Sequence, residues 1–229
     1  MAEAAGPVVI GRDVWRIYPS PTGPVEALRG VNLEIPRGGM VSVMGPSGSG
    51  KTTFLNCFSG LDKIDRGSIL IDGRDLQLMV DNEKSRYRAR SMGFIFQSYN
   101  LLPVLTSVEN VELPLLVGGV PVPEARRRAL RWLEELGVGS KAFDKPNSLS
   151  GGQQQRVAVA RALAPEPAIV WADEPTGNLD GENAHQVMSL LQEMNRAHRQ
   201  TLIVVTHNPE IARQCAIHYR MHGGELLAG

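Results

Sequence analysis

The eight residues Gly45-Pro46-Ser47-Gly48-Ser49-Gly50-Lys51-Thr52 match the pattern G-x-x-x-x-G-K-[ST] without a departure. They follow a short, nearly continuous apolar run, Met40 to Met44, and lead into a segment of helical character. Strand, glycine-rich loop and helix in that order form the opening of an α/β nucleotide-binding core. Each fixed position has a chemical reason. Glycines let the backbone curl into a nest of N–H groups that converge on phosphate oxygens, and the helix starting near Lys51 adds its positive end. Lys51 supplies a mobile cation for the β- and γ-phosphates, and the Thr52 hydroxyl is placed for Mg²⁺. A glycine turn with an incidental lysine is the plain alternative, and the flanking strand and helix argue against it.

The rest of the chain fits around that core. Val8 to Ile10 and Val31 to Ile35 are short apolar runs separated by Pro19, Pro21, Gly23 and Pro24, the mark of an antiparallel, hairpin-rich start. Ser68 to Ile71, ended by the Asp72-Gly73 turn, and Gly93 to Phe96 read as further strands. From Ser98 to about Gln155 the pattern turns helical; Glu124 to Leu136 places Ala125, Ala129, Leu133 and Leu136 on one face, with Gly137 as a stop. Strand–helix alternation then returns, with strands at Ala168 to Ala172 and Thr201 to Thr206 around a helix from Glu182 to Arg196. The expected fold is α/β: a phosphate-loop NTPase core of mostly parallel sheet with flanking helices. An N-terminal antiparallel β subdomain and an inserted α-helical subdomain complete it. Residues 1–97 and 156–229 form the core with its β subdomain, and 98–155 the insertion, within one domain spanning 1–229.

Composition narrows the setting. Lys plus Arg and Asp plus Glu stand at 24 each, so no global field draws the chain to nucleic acid or anionic lipid. Cys57 and Cys215 make no disulfide framework and suit a reducing compartment. Met1 to Gly6 has neither the basic nor the apolar stretch of a secretion signal. The longest apolar stretch, Leu101 to Val122, is broken by Glu109, Glu112, Pro103, Pro114 and Pro121 and does not read as a membrane span. A cytosolic chain is expected, with any membrane role exercised through a partner and without direct insertion.

Two more strand ends carry chemistry. Ile169 to Ala172 runs into Asp173 and Glu174. In phosphate-loop ATPases the first acid holds the Mg²⁺ hydration shell, which suits Asp173. Glu174 would face the γ-phosphate, where it could orient and deprotonate an attacking water. A solvated turn before Pro175 is the bland alternative. His207 follows the strand Thr201 to Thr206 and so sits at the carboxyl edge of the sheet, where ligands bind in such folds. There it could bond the γ-phosphate and hold Glu174 and water. His185, His198, His218 and His222 read as surface residues. Finally, Leu149-Ser150-Gly151-Gly152-Gln153-Gln154-Gln155-Arg156 opens a helix running to about Leu163, a second bare helix N-terminus suited to an anion.

With that string the chain resembles, over essentially its whole length, the nucleotide-binding domain of ATP-binding cassette (ABC) transporters. The phosphate loop, the LSGGQ signature, the acid-ended strand and the strand-end histidine stand in that family's order. The resemblance implies an ATPase using ATP and Mg²⁺. It implies that Gln97 touches the metal and couples the site to a membrane subunit, and that Tyr18 stacks on adenine, with Trp15 a competitor. Gly177-Asn178-Leu179-Asp180 would be the loop that crosses a dimer interface. Two chains would pack head to tail, so that Ser150, Gly152 and Gln153 of one cap the ATP held by Gly45 to Thr53 of the other. Thr52, Gln97 and Asp173 would serve the metal; Lys51, Gln97, Glu174 and His207 the reaction.

Phe58 to Asp62, Tyr99 to Pro103, Glu109 to Pro114 and the GNLD loop look like the lipoprotein-releasing and macrolide-efflux branch. The implied partner is a separate integral membrane permease, with the chain peripheral on the inner face of the cell membrane. The implied work is export, lipoprotein or lipid extraction, or mechanotransmission. Nucleic-acid partners are not expected: repair and chromosome ATPases of this superfamily need long insertions between loop and signature, and only about 97 residues separate them here. A cytoplasmic regulator of cell-division type, acting on a membrane partner without transport, is the alternative. Lys84, Arg86, Arg88 and Arg90, like Arg126 to Arg128, read as solvated helix faces. Leu101 to Leu116 could be ordinary core or a groove for a partner helix beside Gln97.

Overall fold

The computed structural model describes residues 6–228; of the Met1 to Gly6 stretch read above for a leader, residues 1–5 lie outside the described residues. In chain order the elements are β1 (Pro7–Tyr18), β2 (Val25–Pro36), β3 (Met40–Met44), α1 (Lys51–Phe58), β4 (Arg66–Ile71), β5 (Arg74–Asp75), α2 (Asp81–Ser91) and β6 (Met92–Phe96). Then follow α3 (Ser107–Val117), α4 (Val122–Glu135), α5 (Gly151–Leu163), β7 (Ile169–Asp173), α6 (Gly181–His198), β8 (Thr201–Thr206), α7 (Pro209–Ala212), β9 (Ile217–His222) and β10 (Glu225–Ala228).

Among the described residues two sheets form. The smaller has the order β2-β1-β4-β5 and is antiparallel throughout, as the turn-punctuated start implies. The larger has the order β10-β9-β3-β8-β7-β6, with β9, β3, β8, β7 and β6 parallel and β10 an antiparallel edge. A parallel sheet covered on both faces needs strands that are apolar at every position. β7 and β8 show why. Val170, Ala172, Leu202 and Val204 enter one core, while Ile169, Trp171, Ile203 and Val205 enter the other. The first core is shared with α3, α4, α5 and α6; the second joins the small sheet and α1, with Phe54, Phe58 and Trp171 among its fully buried side chains.

Helices α3 and α4 and the start of α5 occupy the stretch read as an insertion, and α5 continues through residue 155 to Leu163. The stripe Ala125, Ala129 and Leu133 is buried, and Leu136 caps the helix. Gly137, at φ 71°, closes it: Gly137 N–H bonds the Glu134 carbonyl and Val138 N–H that of Leu133, the paired bonds of a Schellman ending. α3 starts in a capping box, with Thr106 and Glu109 exchanging bonds. No described helix is long and apolar enough to cross a membrane.

Two sequence expectations need correcting here. The basic run of α2 is only partly a solvated face: Arg88 donates to the Gly60 carbonyl at 2.7 Å and Arg90 to that of Gly118 at 2.6 Å. A guanidinium can satisfy buried-side carbonyls while its stem lies along the protein, which a charge pattern does not reveal. Arg126 likewise reaches the buried Glu112, whereas Arg127, exposed, pairs with Glu124 beside Arg128 on the helix surface, as the solvated-face reading expects. Leu101 to Leu116 is only partly core: Val108, Val111 and Leu115 are buried, whereas Leu102, Val104, Leu113 and Leu116 are exposed.

Candidate active site

The parallel strands β3, β6, β7 and β8 all point their carboxyl ends the same way, and the motif residues gather there. A cleft of about 890 Å³ is lined by Tyr18, the loop residues Pro46 to Gly48 and Gly50 to Thr53, Gln97, Asp173, Glu174 and His207. A larger cleft, about 1190 Å³, lies at the amino ends of the same strands beside Gly38, Ser91, Ala168 and Gln200, and contains no motif residue. Chemistry rather than size identifies the site.

The loop is held open by its backbone. Gly50, at φ 104°, is the N-cap of α1 and offers no side-chain cap, so the first N–H groups of that helix are bare. A Cβ at Gly50 would stand 2.5 Å from the Ala27 carbonyl oxygen, and one at Gly45 2.2 Å from that of Met221. Gly224 N–H bonds the Ser49 carbonyl at 3.1 Å, tying the β9–β10 turn to the loop. Lys51 Nζ donates to the carbonyls of Gly45 at 2.7 Å and Pro46 at 2.9 Å, so its charge lies folded over the nest. Ser49 Oγ is buried without a partner.

Asp173 ends β7. Burial, then the neighbouring Glu174 charge, push its carboxyl above the usual range, against the pull of Lys51. The next residue, Glu174, has φ 46°, a left-handed conformation that reverses the chain direction out of the strand. Its N–H still bonds the Val205 carbonyl, at 2.9 Å. Its carboxylate is gripped by the end of β8. Oε1 accepts from His207 N–H at 2.8 Å and from the His207 imidazole at Nδ1 at 2.6 Å; Oε2 accepts from the Thr206 hydroxyl at 2.8 Å. His207 itself is exposed. Thr206 carried no sequence signal of its own, because its contribution depends on β7 and β8 lying side by side.

Gln97 follows β6 and reaches across to the loop after β7. Its Nε2 donates to Asn178 Oδ1 at 3.2 Å, and Asn178 Nδ2 donates back to the Gln97 carbonyl at 3.0 Å. Beyond Gln97, Tyr99 and Asn100 both have positive φ, and their carbonyls are gripped by Arg161 of α5. Burial holds the Arg161 guanidinium down to about 10. Thus one end of α5 touches the tail of the Gln97 loop. Its other end carries Ser150, which caps α5 in a box with Gln153. Ser150, Gly152 and Gln153 lie outside the cleft that the phosphate loop of the same chain lines.

Of the two aromatic candidates, Tyr18 lines the cleft and Trp15 does not. Trp15 Nε1 bonds Asp13 at 2.7 Å, and Arg66 lies 6.0 Å over its ring. Val25, Glu26, Ala27, Gly223 and Gly224 also line the cleft; the last two carried no motif because the distant β9–β10 hairpin brings them there. The donors present suit a small divalent cation. The Thr52 hydroxyl, the Gln97 amide oxygen and the Asp173 carboxylate are all hard oxygens, and an acid whose charge is disfavoured by burial gains from a bound cation.

Comparison with known proteins follows the same line. The ABC transporter family profile matches residues 28–177. The lipoprotein-releasing system ATP-binding protein LolD of Alcanivorax borkumensis is 43% identical over 220 residues, covering 96% of each chain. The macrolide export ATP-binding/permease protein MacB 1/2 of Paracoccus denitrificans is 40% identical over 228 residues; this chain is covered fully and spans 34% of that longer protein. Among solved structures, the ATP-binding cassette MJ0796, seen as a dimer in a post-hydrolysis state bound to ADP and Pi, superposes with a TM-score of 0.87. It is 42% identical, with 95% of this chain and 96% of that one covered.

Proposed function

The chain belongs to the ABC transporter family as an ATP-binding, ATP-hydrolysing subunit of the lipoprotein-releasing and macrolide-export type, and on that premise we propose how its own residues divide the work. The observation that carries the assignment is the meeting of Lys51, Thr52, Asp173, Glu174 and His207 in one cleft from which the signature residues are absent.

ATP binds with its phosphates over the loop from Gly45 to Thr53. Lys51 exchanges the carbonyls of Gly45 and Pro46 for phosphate oxygens, and Tyr18 packs against the adenine. Thr52, Gln97 and Asp173 would hold Mg²⁺, which would supply neutralisation of phosphate charge. Glu174 accepts a proton from the attacking water as the water oxygen bonds the γ-phosphorus. The bond to the bridging oxygen breaks, and ADP leaves with that oxygen. His207 and Thr206 hold Glu174 in place. Ser150, Gly152 and Gln153 complete the site of a second copy packed head to tail, so ATP favours the closed pair because only that form contacts nucleotide from both sides. An integral membrane permease seats beside Gln97 and the exposed Leu102, Val104, Leu113 and Leu116, which places the chain at the inner face of the membrane. The work transmitted is export, extraction of lipid-anchored cargo, or mechanotransmission.

Glu174→Gln is the direct test. It removes the base and keeps the shape, so a stable ATP-bound dimer is expected on size exclusion, with hydrolysis reduced by about 10²–10⁴. Turnover at the parent rate would overturn the assignment of Glu174.

A further inference from the structure

We propose that Asn178 is a positioning residue that sets which end of the Gln97 carboxamide faces the metal side of the cleft. The inference rests on the reading of Gln97 as a metal-facing residue and deepens it. A carboxamide has a donor end and an acceptor end of nearly equal shape, and only the oxygen can approach a cation. Something must therefore choose the orientation.

The bonds between the two side chains make that choice by elimination. The Gln97 backbone carbonyl can only accept, so the Asn178 atom 3.0 Å from it is the amide nitrogen. The other end of Asn178 is then an oxygen, which can only accept, so the Gln97 atom 3.2 Å from it is Nε2. Gln97 Oε1 is the end left over, and Gln97 lines the cleft together with Thr52 and Asp173. Backbone direction thus fixes an asparagine, and the asparagine fixes a glutamine.

Gly177 supports the arrangement from below. A Cβ there would stand 2.7 Å from Gln97 Nε2, so any other residue would displace the amide from its partner. Residues 97 and 178 sit on loops 81 positions apart that meet only because β6 and β7 are neighbours. The same loop that carries Asn178 continues through Asp180, which caps α6.

The test measures metal affinity, not turnover. Mn²⁺ binding to the full chain loaded with a non-hydrolysable ATP analogue is followed by the spin-resonance signal of free Mn²⁺. Asn178→Ala is expected to weaken Mn²⁺ binding about three- to tenfold, the range of one lost hydrogen bond, while metal-free analogue affinity stays within about twofold. Gln97→Glu puts oxygen at both ends of the side chain, so orientation ceases to matter. In that background Asn178→Ala is expected to leave Mn²⁺ affinity unchanged. Equal weakening in both backgrounds would mean that Asn178 acts on the loop as a whole and would overturn the proposal. So would an Asn178→Ala chain of parental affinity when Gln97→Ala loses affinity. A Gln97→Ala chain that keeps parental Mn²⁺ affinity would instead sink the reading of Gln97 itself.

Discussion

Arg16 holds Asp62 through two nitrogens, Nε and Nη2, each 3.1 Å from a different carboxylate oxygen. Nη1 reaches Asp65 at 3.2 Å, and the Tyr18 hydroxyl donates to Asp62 at 2.6 Å. The guanidinium also lies 4.3 Å over the Tyr18 ring. Together these contacts clamp the end of β1, with Tyr18 on it, to the loop between α1 and β4. Burial alone would raise the Asp62 carboxyl, but the Tyr18 hydroxyl, the Lys63 N–H and Arg16 outweigh it and hold it below the usual range. At Asp65 the Ile17 N–H is the main cause of lowering, with Arg16 adding to it against slight burial.

Acid should therefore open the clamp. Both carboxyls titrate lower in the folded chain than in the unfolded one. Their stabilisation is present above the unfolded value and is lost as pH falls through the folded values. Arg16→Gln is expected to cost about 2 kcal/mol at neutral pH. It should also lose less stability than the parent between neutral pH and about pH 3. Denaturant melts at several pH values check this; parallel acid profiles for the two chains would contradict it.

Removing the His207 imidazole leaves Glu174 with the Thr206 hydroxyl and the residue 207 N–H, so the carboxylate stays attached but loses one of its two donors at Oε1. His207→Ala is expected to lower single-turnover hydrolysis about a hundredfold while changing ATP affinity no more than about threefold. A parallel fall in affinity would indicate a collapsed loop instead.

Asp173 gives the opposite pH sign to Asp62. Its carboxyl is raised in the folded chain, so its ionised form costs stability; that cost is absent at low pH and grows as pH rises through the folded value. Asp173→Asn is expected to melt at a higher temperature than the parent at neutral pH without nucleotide, and to lose the metal-dependent stabilisation that the parent gains with ATP and Mg²⁺. Calorimetric scans with and without Mg²⁺ decide it.

The head-to-tail arrangement can be tested by mixing two inactive chains. Lys51→Ala breaks the phosphate side of a site and Ser150→Arg the capping side. If two chains pack head to tail, one site of a mixed pair carries both lesions and the other carries neither. If partners exchange freely and sites work independently, a one-to-one mixture should recover about a quarter of the parent rate. No recovery would place Lys51 and Ser150 of one chain in the same site.

Much of this molecule could be read from short stretches of sequence. Met40–Met44, Ile169–Asp173 and Thr201–Thr206 are recognisable because a parallel strand buried on both faces is apolar at successive positions. The phosphate loop is legible because its chemistry is local. What escaped depends on which strands become neighbours. Thr206 holds Glu174 only because β7 pairs with β8. Asn178 meets Gln97 only because β6 pairs with β7. Arg88 and Arg90 look like surface charge until the carbonyls of Gly60 and Gly118 arrive beside them. Fold class follows from periodicity, whereas the partners of polar side chains follow from topology.

An ionised carboxylate offers about four lone pairs to donors. On Glu174 both pairs of Oε1 are engaged by His207, and one pair of Oε2 by Thr206. The directions left open on the carboxylate are thereby narrowed by the end of β8 and the residue that follows it. The geometry of proton removal is in this sense a property of strand pairing rather than of the glutamate.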